Sequence, residues 1–527
     1  MGKQDREDTP FFERRDVFDL KREIQELLSM AFQVSLASMV RMGLTAIDSA
    51  FLGHLGVQAL AASSLASVWM GVPLYGVWSG AACIATLCGQ ALGAQNHALA
   101  GIWLQFGVIV CFFCSMLIAV YYWNIDVLLR MSSSDEQVVA LGTRFARIMS
   151  LSIFPSLTYM CLRLYFQSMG IVLPTTLVGL TSVFVAVGAN YFLIYGYGSW
   201  HGMGFDGSPW ATVIACFFQP IALFMYTIVW KKYHAHAWDG WKIQELTWSR
   251  LSTFLSLGIP MGFNSVITNL ASAGVAVMAA QLGPDVVAAN AIVTQFWSML
   301  YALFWGFGCA TQTKVAFYLG AGKPDHAKGV VKIGAICTAI NAVFLAALTL
   351  TLRHRIFIVY TNDESLLQLA GLVVPVFVSA YMLESMEMFM SAVLTGMGEV
   401  RVIFWAALIA TWCVQLPVCY VWAFVFKAGF PSLWNAVCAM EAVKTIVFLI
   451  ILSRIDWDQV TMRAMAASEA KGAVGQDELR HQNEELVELS EILNAPTMAF
   501  TPRTPVGSAT PSDAAKRTHS YSTLNEA

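Results

Sequence analysis

Along most of this 527-residue chain the apolar positions do not alternate with polar ones; they run on for some twenty residues and then stop at a polar or Gly/Pro break. A bilayer core about 30 Å thick requires about 20 apolar residues in helical form. Twelve such runs start near residues 28, 62, 102, 145, 173, 209, 253, 286, 329, 367, 402 and 431. Within lipid every backbone polar group must be satisfied internally, so only helices or a closed barrel can cross. The alternation of a barrel strand is absent from these runs. The pattern predicts an all-α integral membrane protein with about twelve transmembrane helices.

Composition agrees with the pattern. Charged residues make up 12% of the chain and hydrophobic ones 57%, where soluble domains carry about 25% charge, and the mean hydropathy is +0.61. The net charge of −3 and the lack of a basic tract exclude a nucleic-acid partner and leave the lipid bilayer as the main one. The first 27 residues are too polar for a cleaved signal peptide, so the first span is expected to direct insertion. Cys111 and Cys114 have CxxC spacing, but they lie in the apolar run GVIVCFFCSMLIAV without a second ligand pair, and so read as packing residues.

An internal repeat organises the spans. LLSMAFQVSL from Leu27 matches FLSLGIPMGF from Phe254, and 254 − 27 is 227. The Leu-Gly pairs at 55/56 and 282/283, and Leu-Gly-Ala at 92 and 319, share that offset, while Met-Gly at 169/170 and 397/398 are 228 apart. The chain is thus expected to fold as two pseudo-symmetric six-helix lobes. Six spans separate equivalent points, so both lobes run the same way through the membrane. Substrate sites of such carriers lie between the halves near the bilayer midplane. The expected divisions are a cytosolic segment 1–27, an N-terminal lobe 28–230, a basic linker 231–250, a C-terminal lobe 251–454 and a cytosolic, largely disordered tail 455–527. Within that tail, DELRHQNEELVELSEILNA has the pattern of a short acidic helix, and Thr501, Thr504 and Thr510 each precede proline. An even number of spans puts both termini on one side. Arg163, Lys231, Lys232, Lys242, Arg250, Lys314, Lys323, Lys328, Lys332 and Arg401 make that side the basic, cytosolic one.

An ionisable side chain inside a span costs about 2.5–3.5 kcal/mol even on the lenient insertion scale. Asp48 in the first span bears that cost, and Arg41 lies seven residues earlier, two turns away on nearly the same face. The pair reads either as mutual neutralisation or as a proton- or cation-binding acid tuned by an arginine. In the tenth span Glu384 and Glu387 are three apart and share a face. Two carboxylates that close in a low dielectric are not both easily ionised, which suits a pair that loads and releases a proton. Glu441 and Lys444 are also three apart, but their opposite charges read as a structural pair.

The segments FLGHLGVQALAA, CGQALGAQNHALAGIWLQ, FQSMGIVLP and YLGAGKPDHAKG resemble those of the multidrug and toxic compound extrusion (MATE) transporters, over about residues 25–452. The resemblance implies a twelve-helix, two-lobed fold and secondary active export of organic cations or other amphipathic compounds against protons or sodium. It also implies roles for particular residues: Asp48 as the coupling-ion acid of the N-terminal lobe with Asn190 and Gln167 near it, and Glu384 as the tenth-span acid required for transport. Positions where acids are usual in the seventh and eighth spans fall instead on Thr268 and Gln295, and Glu387 is an acid this chain adds.

The expected protein is a proton-coupled, alternating-access antiporter of small organic cations or amphipathic xenobiotics and metabolites. It would act as a monomer without cofactor, at the plasma membrane or a vacuolar or other internal membrane. Trp78, Trp297 and Trp305 are candidate contacts for a flat cation. The alternatives are sodium coupling, a carrier of organic acids or metabolite conjugates on the same fold, and, from a different class, a channel or receptor. No nucleophile and base pair, metal cluster or phosphate loop points to an enzyme.

Overall fold

Several spans begin where the chain can satisfy the free amides of a helix start. Asp19 accepts hydrogen bonds from the Lys21 and Arg22 amides, Asn96 from Leu99, Asp135 from Gln137, and Asp363 from Ser365. Proline stands in the first turn of the spans opening at Leu173, Pro284, Pro324 and Pro431, where its missing N–H costs nothing. The computed structural model describes residues 18–133, 135–233, 238, 240–359 and 363–469. Among them twelve helices are long and apolar enough to cross a membrane.

In chain order these are span 1 (Leu20–Leu55), span 2 (Gln58–Gly93), span 3 (His97–Trp123), span 4 (Glu136–Ser168), span 5 (Leu173–Tyr195) and span 6 (Gly204–Trp230). The second set is span 7 (Trp248–Leu282), span 8 (Pro284–Gly320), span 9 (Pro324–Arg353), span 10 (Glu364–Met397), span 11 (Val400–Val425) and span 12 (Pro431–Arg454). Two sequence expectations change here. Arg163 and Lys314, counted as charges of the terminus-bearing surface, lie inside spans 4 and 8. The tail does not leave the body at residue 455, because Trp457–Glu469 forms a helix with Val460, Ala464 and Ser468 buried. The acidic segment and the three Thr-Pro sites lie outside the described residues.

The two sets of spans meet along spans 1, 2, 7 and 8, and the contacts obey the repeat. Gly76 and Gly80 of span 2 cross Gly258 and Gly262 of span 7, a small-xxx-small face on both helices. A Cβ on Gly80 would stand 2.9 Å from the Gly258 carbonyl, and one on Gly262 would stand 2.9 Å from the Gly76 carbonyl. The equivalent crossing of spans 1 and 8 places Gly306 against Ala31, while Ser35 Oγ donates to the Leu303 carbonyl at 3.1 Å. At the ends of spans 2 and 8, Gly93 abuts the Phe317 carbonyl and Gly320 abuts the Gln90 carbonyl. The 227-residue offset carries 93 to 320 and 90 to 317, so one lobe makes to the other the contact it receives, as an isologous pair does.

All these contacts fall in the first half of spans 1 and 7 and the second half of spans 2 and 8, which is the half that carries the described termini. There the seam is also charged. Lys314 of span 8, 1% exposed, donates to Glu23 at 2.6 Å and to Glu26 at 2.9 Å on span 1, and Tyr318 bonds the other oxygen of Glu23. The repeat does not duplicate this lock, because Arg250 and Leu87 occupy the equivalent positions. The terminal helix covers the same end: Asn96 Nδ2, after span 2, donates to the Ser468 carbonyl at 2.9 Å, Met465 packs on Gly322 after span 8, and Arg463 pairs with Glu399 at 2.8 Å.

Replacing Lys314 by Met leaves Glu23 and Glu26 facing each other in a buried seam, and the loss of one partner of a buried ion pair typically costs about 3–5 kcal/mol. The expected outcome is a lower melting temperature in detergent and faster thiol labelling of Cys83, which lies 1% exposed at the same seam; unchanged Cys83 reactivity in a Cys83-only background would count against the lock. Gly80→Val should keep insertion but reduce transport at least about tenfold, since the side chain meets backbone that cannot give way. Gly43→Ala, whose Cβ meets nothing within 4 Å, should leave transport near wild type in the same uptake assay.

Candidate coupling and substrate site

Span 1 passes through the N-terminal lobe beside spans 5 and 6, and the three bring polar groups together around Asp48. Asn190 Nδ2 of span 5 donates to Asp48 Oδ1 at 2.9 Å, and Thr212 Oγ1 of span 6 bonds Asp48 Oδ2 at 2.9 Å. Asn190 is fully buried and its amide also donates to the Ala186 carbonyl of its own helix, which fixes which way the side-chain amide faces. That leaves Asn190 Oδ1 buried without a hydrogen-bond partner. No basic side chain pairs with Asp48 among the described residues. The Arg41 reading therefore needs correction: its guanidinium lies over the Trp78 ring, 5.2 Å from the centroid, and not against Asp48.

Gln167 is also displaced from its expected company. Its amide reaches Thr313 Oγ1 of span 8 at 3.4 Å, at the seam between lobes, rather than Asp48. Thr212, by contrast, escaped the sequence reading. A threonine in a span ordinarily satisfies itself on its own helix, as Thr212 partly does on the Ser208 carbonyl at 3.2 Å, so residue type alone gives no signal.

In the C-terminal lobe the two glutamates share a face but have different partners. Trp297 Nε1 of span 8 donates to Glu384 Oε2 at 2.6 Å. Lys444 of span 12 pairs with Glu441 at 2.8 Å and lies 3.6 Å from Glu387. Lys444 is therefore shared by two carboxylates, Glu441 and Glu387, and the Glu441–Lys444 pair read as structural gains a third member from span 10. A self-contained Glu384–Glu387 dyad is replaced by a hydrogen-bonded Glu384 and a lysine-bridged Glu387. The sequence missed this because span 12 is brought beside span 10 only by the fold.

Trp297 also begins an aromatic ladder on one face of span 8. Tyr301 lies 5.1 Å from it between ring centroids, and Trp305 stacks on Tyr301 at 5.8 Å with ring planes 22° apart. The i, i+4, i+8 spacing puts all three on one face. Gln295, two residues before Trp297, points about 200° away from it around the helix and is exposed. Thr268 is exposed as well and closes onto the Asn264 carbonyl at 2.9 Å. Neither replaces the acid expected at its position. Among the described residues no three His, Cys, Asp or Glu side chains cluster so as to hold a metal ion.

Known proteins give the same fold. The MatE family model matches residues 34–192 and 260–421, more than half of the chain and one stretch in each lobe. Multidrug and toxin extrusion protein 2 of Mus musculus is 27% identical over 454 residues, covering 86% of this chain and 78% of that protein. Multidrug and toxin extrusion protein 1 of Xenopus tropicalis is 27% identical over 484 residues, with 90% and 82% covered. Among solved structures, the eukaryotic MATE transporter AtDTX14 superposes with a TM-score of 0.77 at 20% identity, covering 85% of this chain and 99% of that one. An outward-facing multidrug resistance MATE transporter of the MOP superfamily superposes with 0.74 at 16% identity, covering 86% and 97%. With the family model spanning both lobes, twelve membrane-crossing helices and this shared fold, the chain belongs to the MatE family of multidrug and toxin extrusion transporters and is a multi-pass membrane carrier rather than an enzyme.

Proposed function

We propose that this protein is a secondary active antiporter that exports organic cations or other amphipathic compounds in exchange for protons, by alternating access between the two lobes. The observation that carries the reading is Asp48: a carboxylate inside a span, held by two neutral groups, with no cation beside it among the described residues. Charge in such a place is costly until something neutralises it, and a proton from the aqueous side does so without help from the protein. The Asn190 and Thr212 bonds favour the ionised carboxylate, so taking up a proton alters the contacts that join span 1 to spans 5 and 6. Span 1 also carries Glu23, Glu26 and Ser35 of the seam, which gives one rigid helix a stake in both the coupling site and the closed end.

The cation would bind on the opposite wall. Lys444 is shared by Glu387 and Glu441, Glu384 is bonded only by the neutral Trp297 indole, and the Trp297–Tyr301–Trp305 ladder offers aromatic faces to a flat cation. With both termini cytosolic, as the basic residues outside the spans suggest, the half away from the Lys314 seam faces outward, at the plasma membrane or a vacuolar membrane. The lobes are complete within one chain, so a monomer suffices. A gradient of one pH unit supplies about 1.4 kcal/mol per proton and 100 mV about 2.3 kcal/mol per charge, enough for one or two orders of magnitude in concentration.

Sodium is the second reading, and the unpartnered Asn190 Oδ1 favours it as a further oxygen on a residue that bonds Asp48. Sodium ordinarily requires more oxygens than these, which is why the proton is preferred.

In proteoliposomes of the full chain, tetraethylammonium uptake is expected to follow an imposed proton gradient and to ignore a sodium gradient at fixed pH; the reverse would replace the proton by sodium. Asp48→Asn should keep substrate binding but reduce gradient-driven uptake at least about tenfold, equivalent to 1.4 kcal/mol of lost coupling. Glu384→Gln should weaken cation binding itself, seen as a Kd raised roughly tenfold in equilibrium binding, since one charged partner is lost. If Asp48→Asn accumulates substrate normally, coupling does not run through the N-terminal lobe.

A further inference from the structure

The segments CGQALGAQNHALAG and YLGAGKPDHAKG end spans 2 and 8 in the same turn. The amides of Ala94, Gln95 and Asn96 donate to the carbonyls of Gln90, Leu92 and Ala91, and those of Ala321, Gly322 and Lys323 donate to Phe317, Leu319 and Tyr318. Every one of these pairs keeps the 227-residue offset, and Gln95 and Gly322 both take the left-handed backbone conformation, with φ of 60° and 71°. The two turns are copies of one another, one per lobe, at the end where Gly93 and Gly320 bring the lobes together.

The helix Trp457–Glu469 lies across both copies. On the C-terminal lobe, Met465 packs on Gly322 and Arg463 pairs at 2.8 Å with Glu399, at the start of span 11. The chain itself also ties the helix to that lobe, because only Ile455 and Asp456 separate it from span 12, and Asp456 accepts from the Asp458 and Gln459 amides. On the N-terminal lobe, Asn96 Nδ2 donates to the Ser468 carbonyl at 2.9 Å. Asn96 is aimed by a second bond: its Oδ1 accepts from the Leu99 amide at 3.2 Å and caps span 3, which turns Nδ2 toward the helix. Lys323 holds the equivalent position in the other turn, and its ammonium has no acceptor with which to do the same. Beneath these polar contacts, Val460 and Ala464 are buried in one apolar cluster with Leu92 and Leu319, one residue from each turn.

We propose that Trp457–Glu469 is an interlobe latch: held by the C-terminal lobe, it fastens the equivalent turn of the N-terminal lobe through Asn96 and lets go of it when this end of the transporter opens. A helix joined to one lobe by two residues cannot stay bonded to both once the turns move apart, so the contact to the other lobe is the one that breaks. One neutral hydrogen bond shifts a two-state equilibrium by roughly three- to tenfold, enough to bias this end toward closure without sealing it. The latch gives the Asn96 segment a task separate from the coupling acid. It rests on the alternating-access reading for the requirement that this end open, and on neither the substrate nor the coupling ion.

The test is the rate at which the native cysteines of the purified full-length protein in nanodiscs react with N-ethylmaleimide, read residue by residue by mass spectrometry. Cys83 reports the seam, being 1% exposed with its sulfur 3.7 Å from where a Cβ on Gly258 of span 7 would stand. Cys111 and Cys161, whose sulfurs are 3.7 Å apart between spans 3 and 4, report the interior of the N-terminal lobe. Asn96→Asp keeps the cap on span 3 but sets an oxygen against the Ser468 carbonyl, so Cys83 should label roughly fivefold faster while Cys111 and Cys161 keep their wild-type rates. Asn96→Ser caps equally well and is too short to reach Ser468; it should give the same result, and it replaces the first variant if that one does not fold. An unchanged Cys83 rate in the folded variant overturns the latch. A parallel rise at Cys111 overturns it too, since Asn96 would then be holding its own lobe together. Labelling needs neither gradient nor substrate, so its failure would leave antiport by the wild type standing, and a failure of antiport in vesicles would leave the labelling result standing.

Discussion

The middle of this molecule is surrounded by lipid, and each charge placed in a span has to find its neutraliser in the protein or receive it from outside. That single requirement sorts the interior. Lys314 is met by Glu23 and Glu26, and the result is a seam between lobes. Lys444 is met by Glu441 and Glu387, and the result is a fixed cluster on the C-terminal side. Asp48 is met only by neutral donors, and Arg41 and Arg163 by no carboxylate among the described residues. Where the protein answers a charge, helices are tied together; where it leaves the answer open, the charge stays costly until a partner from outside neutralises it.

Moving parts need surfaces that fit without being fused. The seam supplies them through backbone proximity: Gly76, Gly80, Gly258 and Gly262 let spans 2 and 7 approach to a distance at which a methyl group would meet a carbonyl. In lipid there is no hydrophobic gain from joining two apolar helices, so packing and polar contacts decide which faces meet. Such faces can part and meet again at moderate cost. The Lys314 lock and the terminal helix then bias one end toward closure, and both involve segments at the borders of the lobes rather than their interiors. Span 1 links that end to Asp48 as a continuous helix, so a change at the acid has a mechanical route to the seam.

Much of the site could be read from the chain. Asp48 and Asn190 are 142 residues apart in sequence, yet the family resemblance predicted their proximity and the fold places them 2.9 Å apart. Glu384 stood out because an acid in an apolar run needs a reason, and Trp297 turned out to provide one. The readings that changed share a cause. Arg41 seven residues from Asp48 and Glu384 three from Glu387 were judged from neighbours on one helix, whereas the actual partners came from other helices; Glu441 and Lys444 pair as expected, with Glu387 as a further partner from another helix. Arg41 chose Trp78, Glu387 chose Lys444, and Gln167 chose Thr313. A helical surface offers a side chain its own turn on one side only; the tertiary neighbours on the other side are set by packing.

Sequence alone determined what the solvent demands: twelve apolar lengths fitted to a bilayer, a two-copy repeat with a constant offset, and a short set of ionisable residues too costly to be accidental. These are properties of one residue or one segment, and periodicity and transfer energy suffice to read them. Tertiary structure decided the rest. It placed Lys314 and Arg163 inside spans when their charge suggested a surface, docked residues 457–469 against the ends of spans 2 and 8 when their polarity suggested a free tail, and brought Lys444 of span 12 to Glu387 of span 10. Each of these depends on which helices face one another, and facing is a pairwise property that no single stretch of sequence carries.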